Sequence, residues 1–246
     1  MNAPYFIEYR LPVEGGSWCE VREIVKDFRL PCRECSSCKE RGIHFSLTRY
    51  DLPIPAAINP RAINRIHTLP DVKFDQLVRS VSSDLATQAV LLPGTRLGSP
   101  SFRLKTEATD YLMERAGFLV SERVLDAVTK RGVEVAPLPV PVEGRRKKVY
   151  RYFSLMPKIC RVTDEAWLNR RRIQCPVCLE WNPRWGIQPR KEDVIPNAQI
   201  VRERWPGFCG IVYDPSLGSA IFSAEFVEAF QDAKLTGAAF AQANWV

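Results

Sequence analysis

Histidine is nearly absent from this chain. Its 246 residues hold two, His44 and His67. Any nucleophile–histidine–acid arrangement would have to use one of them. Four motifs that usually announce an enzyme are also missing: G-x-x-x-x-G-K-[ST], G-x-G-x-x-G, G-x-S-x-G and H-E-x-x-H. These absences argue against phosphoryl-transfer, dinucleotide, hydrolase and metalloprotease chemistry, and the chain is expected not to be an enzyme. No apolar run approaches the roughly 18 residues of a membrane span, so no membrane partner is expected. Met1–Leu11 has no basic start and no apolar stretch, being interrupted by Glu8 and Arg10, so a cytoplasmic location is expected. Cysteine, at eight residues, is about 3%, well below a disulfide scaffold. In a reducing compartment, paired cysteines read as metal ligands or redox groups before they read as disulfides.

What is present is ordinary for a globular protein. The hydrophobic fraction is 46% and the charged fraction 26%. A chain of this length can bury about 70–75% of its unfolded surface, so it needs no staple to fold. Nineteen prolines are about 8% of the chain against a usual ~5%, which predicts many loops and short elements. The net charge of +7 is local. Pro141–Arg190 holds twelve Lys/Arg against four Asp/Glu, and the rest of the chain is nearly balanced. Arg145, Arg146, Lys147 and Lys148 form one basic run, Arg170–Arg172 a second, with Arg184 and Arg190 beyond. Such a patch can attract phosphates or an acidic protein. The plainer account is a solvated loop at Glu143–Lys148 and a helix end at Asn169–Arg172, where basic residues suit the helix dipole.

The elements point to an α+β fold. Tyr5–Arg10 reads as a strand, and Val21–Leu30 as strand or helix. Asp71–Leu85 reads as a helix with Phe74, Leu77, Val78 and Val81 on one face. Leu91–Gly98 reads as a turn, Val149–Leu155 as a strand, and Thr163-Asp164-Glu165 as a capped helix start running through Trp167 and Leu168 into the arginines. Two segments repeat one pattern. Phe118–Val128 and Ile221–Phe230 each give a short apolar strand, a serine N-cap (Ser121 or Ser223) and an amphipathic helix. A glycine past the helix end (Gly132 or Gly237) and a second strand then follow.

The strongest chemical signal is two separated C-x-x-C pairs. One lies in Cys32-Arg33-Glu34-Cys35-Ser36-Ser37-Cys38, and can be Cys32/Cys35 or Cys35/Cys38. The other is Cys175/Cys178. Two intervening residues let one tight turn aim both sulfurs at one ion, and two such turns complete a tetrahedral four-sulfur zinc site. A closed four-cysteine site leaves no position for substrate, so the zinc would be structural. Competing readings are a redox pair and plain buried thiols. Cys19, Cys160 and Cys209 have no partner at ligand spacing and are expected in the core. His44 is an alternative ligand close behind the first cluster, and His67 a surface or cap residue.

The ordered combination resembles the bacterial double-CxxCG motif family, associated with immunity to contact-delivered toxins. The matching features are Leu30-Pro31 before the first C-x-x-C, Pro93-Gly94-Thr95 before a glycine, the second C-x-x-C, and the closing element Ile221–Phe240. The chain departs from the family where a glycine follows each pair: Ser36 or Lys39 stands after the first, Leu179 after the second. The spacing from Leu30-Pro31 favours Cys35 and Cys38 as the first pair, with Cys32 as the alternate. The resemblance implies a cytoplasmic immunity protein that neutralises a cognate protein toxin by binding it, with zinc holding the scaffold. Trp181, Arg184 and Trp185, with Arg145 and Arg146, are the candidate partner-binding residues, since Trp and Arg dominate interface hot spots. The alternative is a zinc-containing nucleic-acid-binding protein that uses the basic 145–190 region. The expected architecture is a single two-lobed unit over 1–246. Two small strand-helix-strand lobes, approximately 1–140 and 141–246, would join through a zinc-ribbon-like four-cysteine site.

Overall fold

A computed structural model of the chain describes residues 4–7, 21–25, 28–35, 37, 49–50, 59, 68–83, 91, 93–105, 107–114, 117–144, 147–169, 172–175, 181–183, 198–207, 209–217 and 219–246. The fold is mixed α+β, with four α-helices among the described residues. No described helix is long and apolar enough to cross a membrane.

Eleven strands build two large sheets. They are β1 (Tyr5–Ile7), β2 (Val21–Val25), β3 (Ser101–Leu104), β4 (Tyr111–Glu114), β5 (Gly117–Ser121), β6 (Pro137–Glu143), β7 (Val149–Leu155), β8 (Lys158–Ile159), β9 (Ile211–Asp214), β10 (Ser219–Phe222) and β11 (Phe240–Gln242). The six-stranded sheet runs β2-β3-β6-β7-β5-β4, antiparallel except for β3 beside β6. The five-stranded sheet runs β8-β9-β10-β1-β11, antiparallel except for β8 beside β9. The helices are α1 (Asp71–Ser83), α2 (Glu122–Lys130), α3 (Glu165–Asn169) and α4 (Ala224–Asp232).

The repeated pattern forms the centre of the molecule. β5 leads into α2, and β10 into α4. Val124 and Val128 of α2 meet Phe226, Val227 and Phe230 of α4 in one buried cluster that also takes Phe118 and Phe153 from one sheet and Phe222 from the other. Each such side chain contributes about 1.5–3 kcal/mol on leaving water. Arg131, just past α2, holds Glu228 and Asp232 of α4 at 2.5 Å. Both sheets are also apolar on their opposite faces, which explains the unbroken apolar runs Phe118-Leu119-Val120 and Ile211-Val212-Tyr213.

The two copies differ at both helix ends. Ser223 caps α4, its hydroxyl accepting from the Phe226 amide at 3.3 Å. Ser121 makes no cap bond; its hydroxyl donates to Asp110 at 2.8 Å. At the C-terminus of α2, Gly132 takes the left-handed conformation (φ 78°) and the Val133 amide reaches back to Val128. The equivalent residue after α4 is Lys234 (φ 49°), with Leu235 reaching back to Phe230, so the expected terminal role of Gly237 falls to a lysine. Gly237 serves another purpose. It has φ 99°, and a β-carbon there would lie 2.2 Å from the Tyr111 carbonyl oxygen.

Several local expectations are corrected. Leu91–Gly98 contains a strand, Arg96–Leu97, after its turn. The strand expected directly after Gly132 begins only at Pro137. Asp164 caps α3, its carboxylate accepting from the Trp167 amide at 2.7 Å, while the Thr163 hydroxyl donates to buried Asp214. Among the described residues α3 ends at Asn169 and Arg172 lies in a strand rather than at a helix end; Arg170 and Arg171 lie outside the described residues. Of the expected core thiols, Cys160 is half-buried and packs against the cluster behind the five-stranded sheet, while Cys209 is half-buried.

β6 places the strand expected after Gly132 where the sequence argues against one. Pro137, Pro139 and Pro141 alternate along it and would ordinarily argue against an inner strand. Proline cannot donate, and these positions fall between the donors that serve β7, which pairs along the whole strand. Only Val142 and Glu143 pair with β3, past the last proline. The missing amides therefore all lie where no ladder needs them.

Candidate metal centre

Each cysteine cluster sits on its own scaffold. The second begins on a hairpin formed by Arg172–Gln174 and Trp181–Pro183, with Gln174 opposite Trp181. Cys175 follows directly, and Cys178 falls by sequence in the six residues between that last pair. The hairpin adjoins α3, whose Trp167 and Leu168 are buried in the cluster behind the five-stranded sheet.

The first cluster begins on the strand Cys32–Glu34, which pairs in parallel with Thr68–Pro70 immediately before α1. Arg33, between the first two cysteines, reaches the carboxylates of Asp71 and Asp75 on α1, and its guanidinium lies 4.7 Å from the Phe74 ring centroid. Two acids at i and i+4 on one helix face make a docking point for that side chain. This clamp was missed from sequence, although Asp71, Phe74 and Asp75 share a face that could have signalled it. Leu30 exchanges backbone hydrogen bonds with the turn after Pro93: its amide donates to Thr95, and its carbonyl accepts from Gly94. Leu30-Pro31 and Pro93-Gly94-Thr95 are thus spatial neighbours.

The scaffolds meet at sulfur. Cys35 and Cys175, 140 residues apart, are both buried, and their Sγ atoms lie 3.7 Å apart. A disulfide would hold them at about 2.05 Å. Two sulfurs bound to one tetrahedral zinc at about 2.3 Å would lie about 3.8 Å apart. The Ser37 amide donates to the Cys35 sulfur at 3.4 Å. Such a bond orients the sulfur as a ligand. The donor set and its spacing thus fit zinc.

Among the described residues no group of three or more histidine, cysteine or acidic side chains gathers around a point. Cys38 and Cys178, needed to complete the expected set, lie outside the described residues, as do Cys19, His44 and His67. The alternate ligand Cys32 is half-buried on its strand. The described cysteines are free of disulfides. Desolvation pushes the Cys160 and Cys209 thiols up; Glu225 adds to the effect at Cys209.

Of the candidate partner-binding residues, Arg145, Arg146, Arg184 and Trp185 lie outside the described residues. Trp181 is placed only as a strand position, and nothing follows for its side chain. Among the described arginines of the six-stranded sheet and α2, Arg103 is ion-paired with Glu143, Arg151 with Glu122 and Arg123 with Asp110. Compared with known proteins, the chain matches no family model and no curated protein.

Proposed function

We propose that this chain is a cytoplasmic immunity protein that neutralises a cognate protein toxin by direct binding, on a scaffold held by structural zinc. The observation that carries the metal half is the Cys35–Cys175 sulfur pair. It brings together the two clusters that the sequence singled out, at the separation of two ligands on one tetrahedral ion. Cys35 and Cys175 would hold the zinc with Cys38 (or Cys32) and Cys178, in a zinc-ribbon-like junction. The binding half rests on the motif order that resembles the double-CxxCG family. When bound, the zinc supplies cross-linking, and its four thiolates leave no open position for catalysis. Arg33 steadies the first knuckle on α1, and the hairpin steadies the second. Neutralisation by occlusion needs no reacting group, only a surface that covers the toxin's own.

Native mass spectrometry of the tagged chain isolated from its host cells tests both halves. A zinc-mass increment together with a stoichiometric protein partner supports the proposal. Co-isolated oligonucleotide in place of protein would overturn the immunity reading in favour of the basic 145–190 region. A metal-free chain would overturn the zinc reading.

A further inference from the structure

The topology isolates one part of the chain. β2 and β3 are neighbours in the six-stranded sheet, and Val25 is the register partner of Ser101. The chain between them therefore leaves the sheet and returns to it at one place. The described residues of 28–98 build their own ladders: Phe28–Arg29 with Arg96–Leu97, Arg49–Tyr50 with Arg96–Leu97, and Cys32–Glu34 with Thr68–Pro70. They also build their own core, in which Phe28, Leu30, Phe74, Val81 and Leu97 are buried together. That cluster shares no residue with the three clusters of the two large sheets. Segments inserted between adjacent residues of a scaffold, with a core of their own, behave as separate modules. The sulfur contact lies elsewhere: Cys35 is on this module, and Cys175 is on the hairpin beside α3.

We infer that the described residues of 28–98 belong to an inserted module, hinged where Val25 and Ser101 pair and latched to the body by metal across Cys35 and Cys175. Metal occupancy then sets whether the module is docked, while each part keeps its own core. The inference rests on the zinc reading above. Without metal, the contact loses its cross-link, and only a weak sulfur–sulfur contact remains in its place. The hinge leaves the module attached but free to swing.

The test uses the full chain, with zinc content followed by native mass spectrometry before and after a zinc chelator. Small-angle scattering reports the radius of gyration, and amide exchange reports each core. The expected result is one zinc released, a larger radius of gyration, and exchange rising at 32–35 and 172–175. Protection of α1, β7 and α4 should stay within about twofold. Cys175→Ser, whose substitution lies outside the module, should reproduce the expanded state without chelator. Zinc release with an unchanged radius would overturn the latch, and so would collapse of protection through β7 and α4. Either result leaves the zinc reading standing. A chain that neither carries zinc nor takes it up would overturn both.

Discussion

Asp110 holds Thr236 across 126 residues of sequence. Its carboxylate accepts from the Thr236 amide at 3.0 Å and from the Thr236 hydroxyl at 3.1 Å. The same buried group accepts from the Ser121 hydroxyl and from Arg123. It therefore ties the first copy of the strand–helix pattern to the turn that closes the second. Asp110→Ala strands several donors at once and should cost about 2–4 kcal/mol. Arg123 is mostly exposed and adds little of this. Urea unfolding should show a lower midpoint with an unchanged slope; an unshifted midpoint would remove Asp110 from this role.

The two serines separate by a double-mutant cycle. Ser223→Ala removes a helix cap and should cost about 1 kcal/mol, independently of Asp110. Ser121→Ala removes a bond to Asp110, so its cost should largely vanish in an Asp110→Ala background. Equal coupling of both serines to Asp110 would contradict the assignment.

Two turn positions after α4 should respond in opposite directions. Lys234→Gly relieves a left-handed backbone and should stabilise by about 0.5–1 kcal/mol. Gly237→Ala drives a β-carbon into the Tyr111 carbonyl and should destabilise by about 2 kcal/mol or more. Thermal melts of both variants check the pair.

How much of this was legible follows a physical rule. α1, α2, α4 and β7 carry strong periodicity, and sequence places each to within about two residues. Sequence puts a glycine in the left-handed position after α4, but Lys234 fills it because the turn is held by its backbone bonds. A strand is expected after α2, but its place at β6 is not legible, because the β6 prolines lose their penalty only through pairing with a strand not yet in view. The insertion of 28–98 depends on the partnership of Val25 with Ser101, a long-range register that no local pattern encodes. The cysteine spacing pointed to four ligands. The approach of Cys35 to Cys175 needed two scaffolds folded against each other.

The half-buried thiols should titrate high. Burial raises Cys160 and Cys209 above the ordinary 9.0, so both stay protonated at neutral pH. Any stability they contribute is present below the ordinary thiol range and lost as pH rises through the raised values. Alkylation of each at pH 8 should run slower than that of an unhindered peptide thiol, with its pH–rate midpoint above 9.0. A midpoint below that value would contradict the cause assigned here.

The most direct test of the metal centre is zinc stoichiometry by native mass spectrometry across four single variants of the full chain. Cys35→Ser and Cys175→Ser should each lose the zinc that the parent carries, while Cys160→Ser and Cys209→Ser keep it. Zinc retained in both of the first two variants, or absent from the parent, would contradict the account.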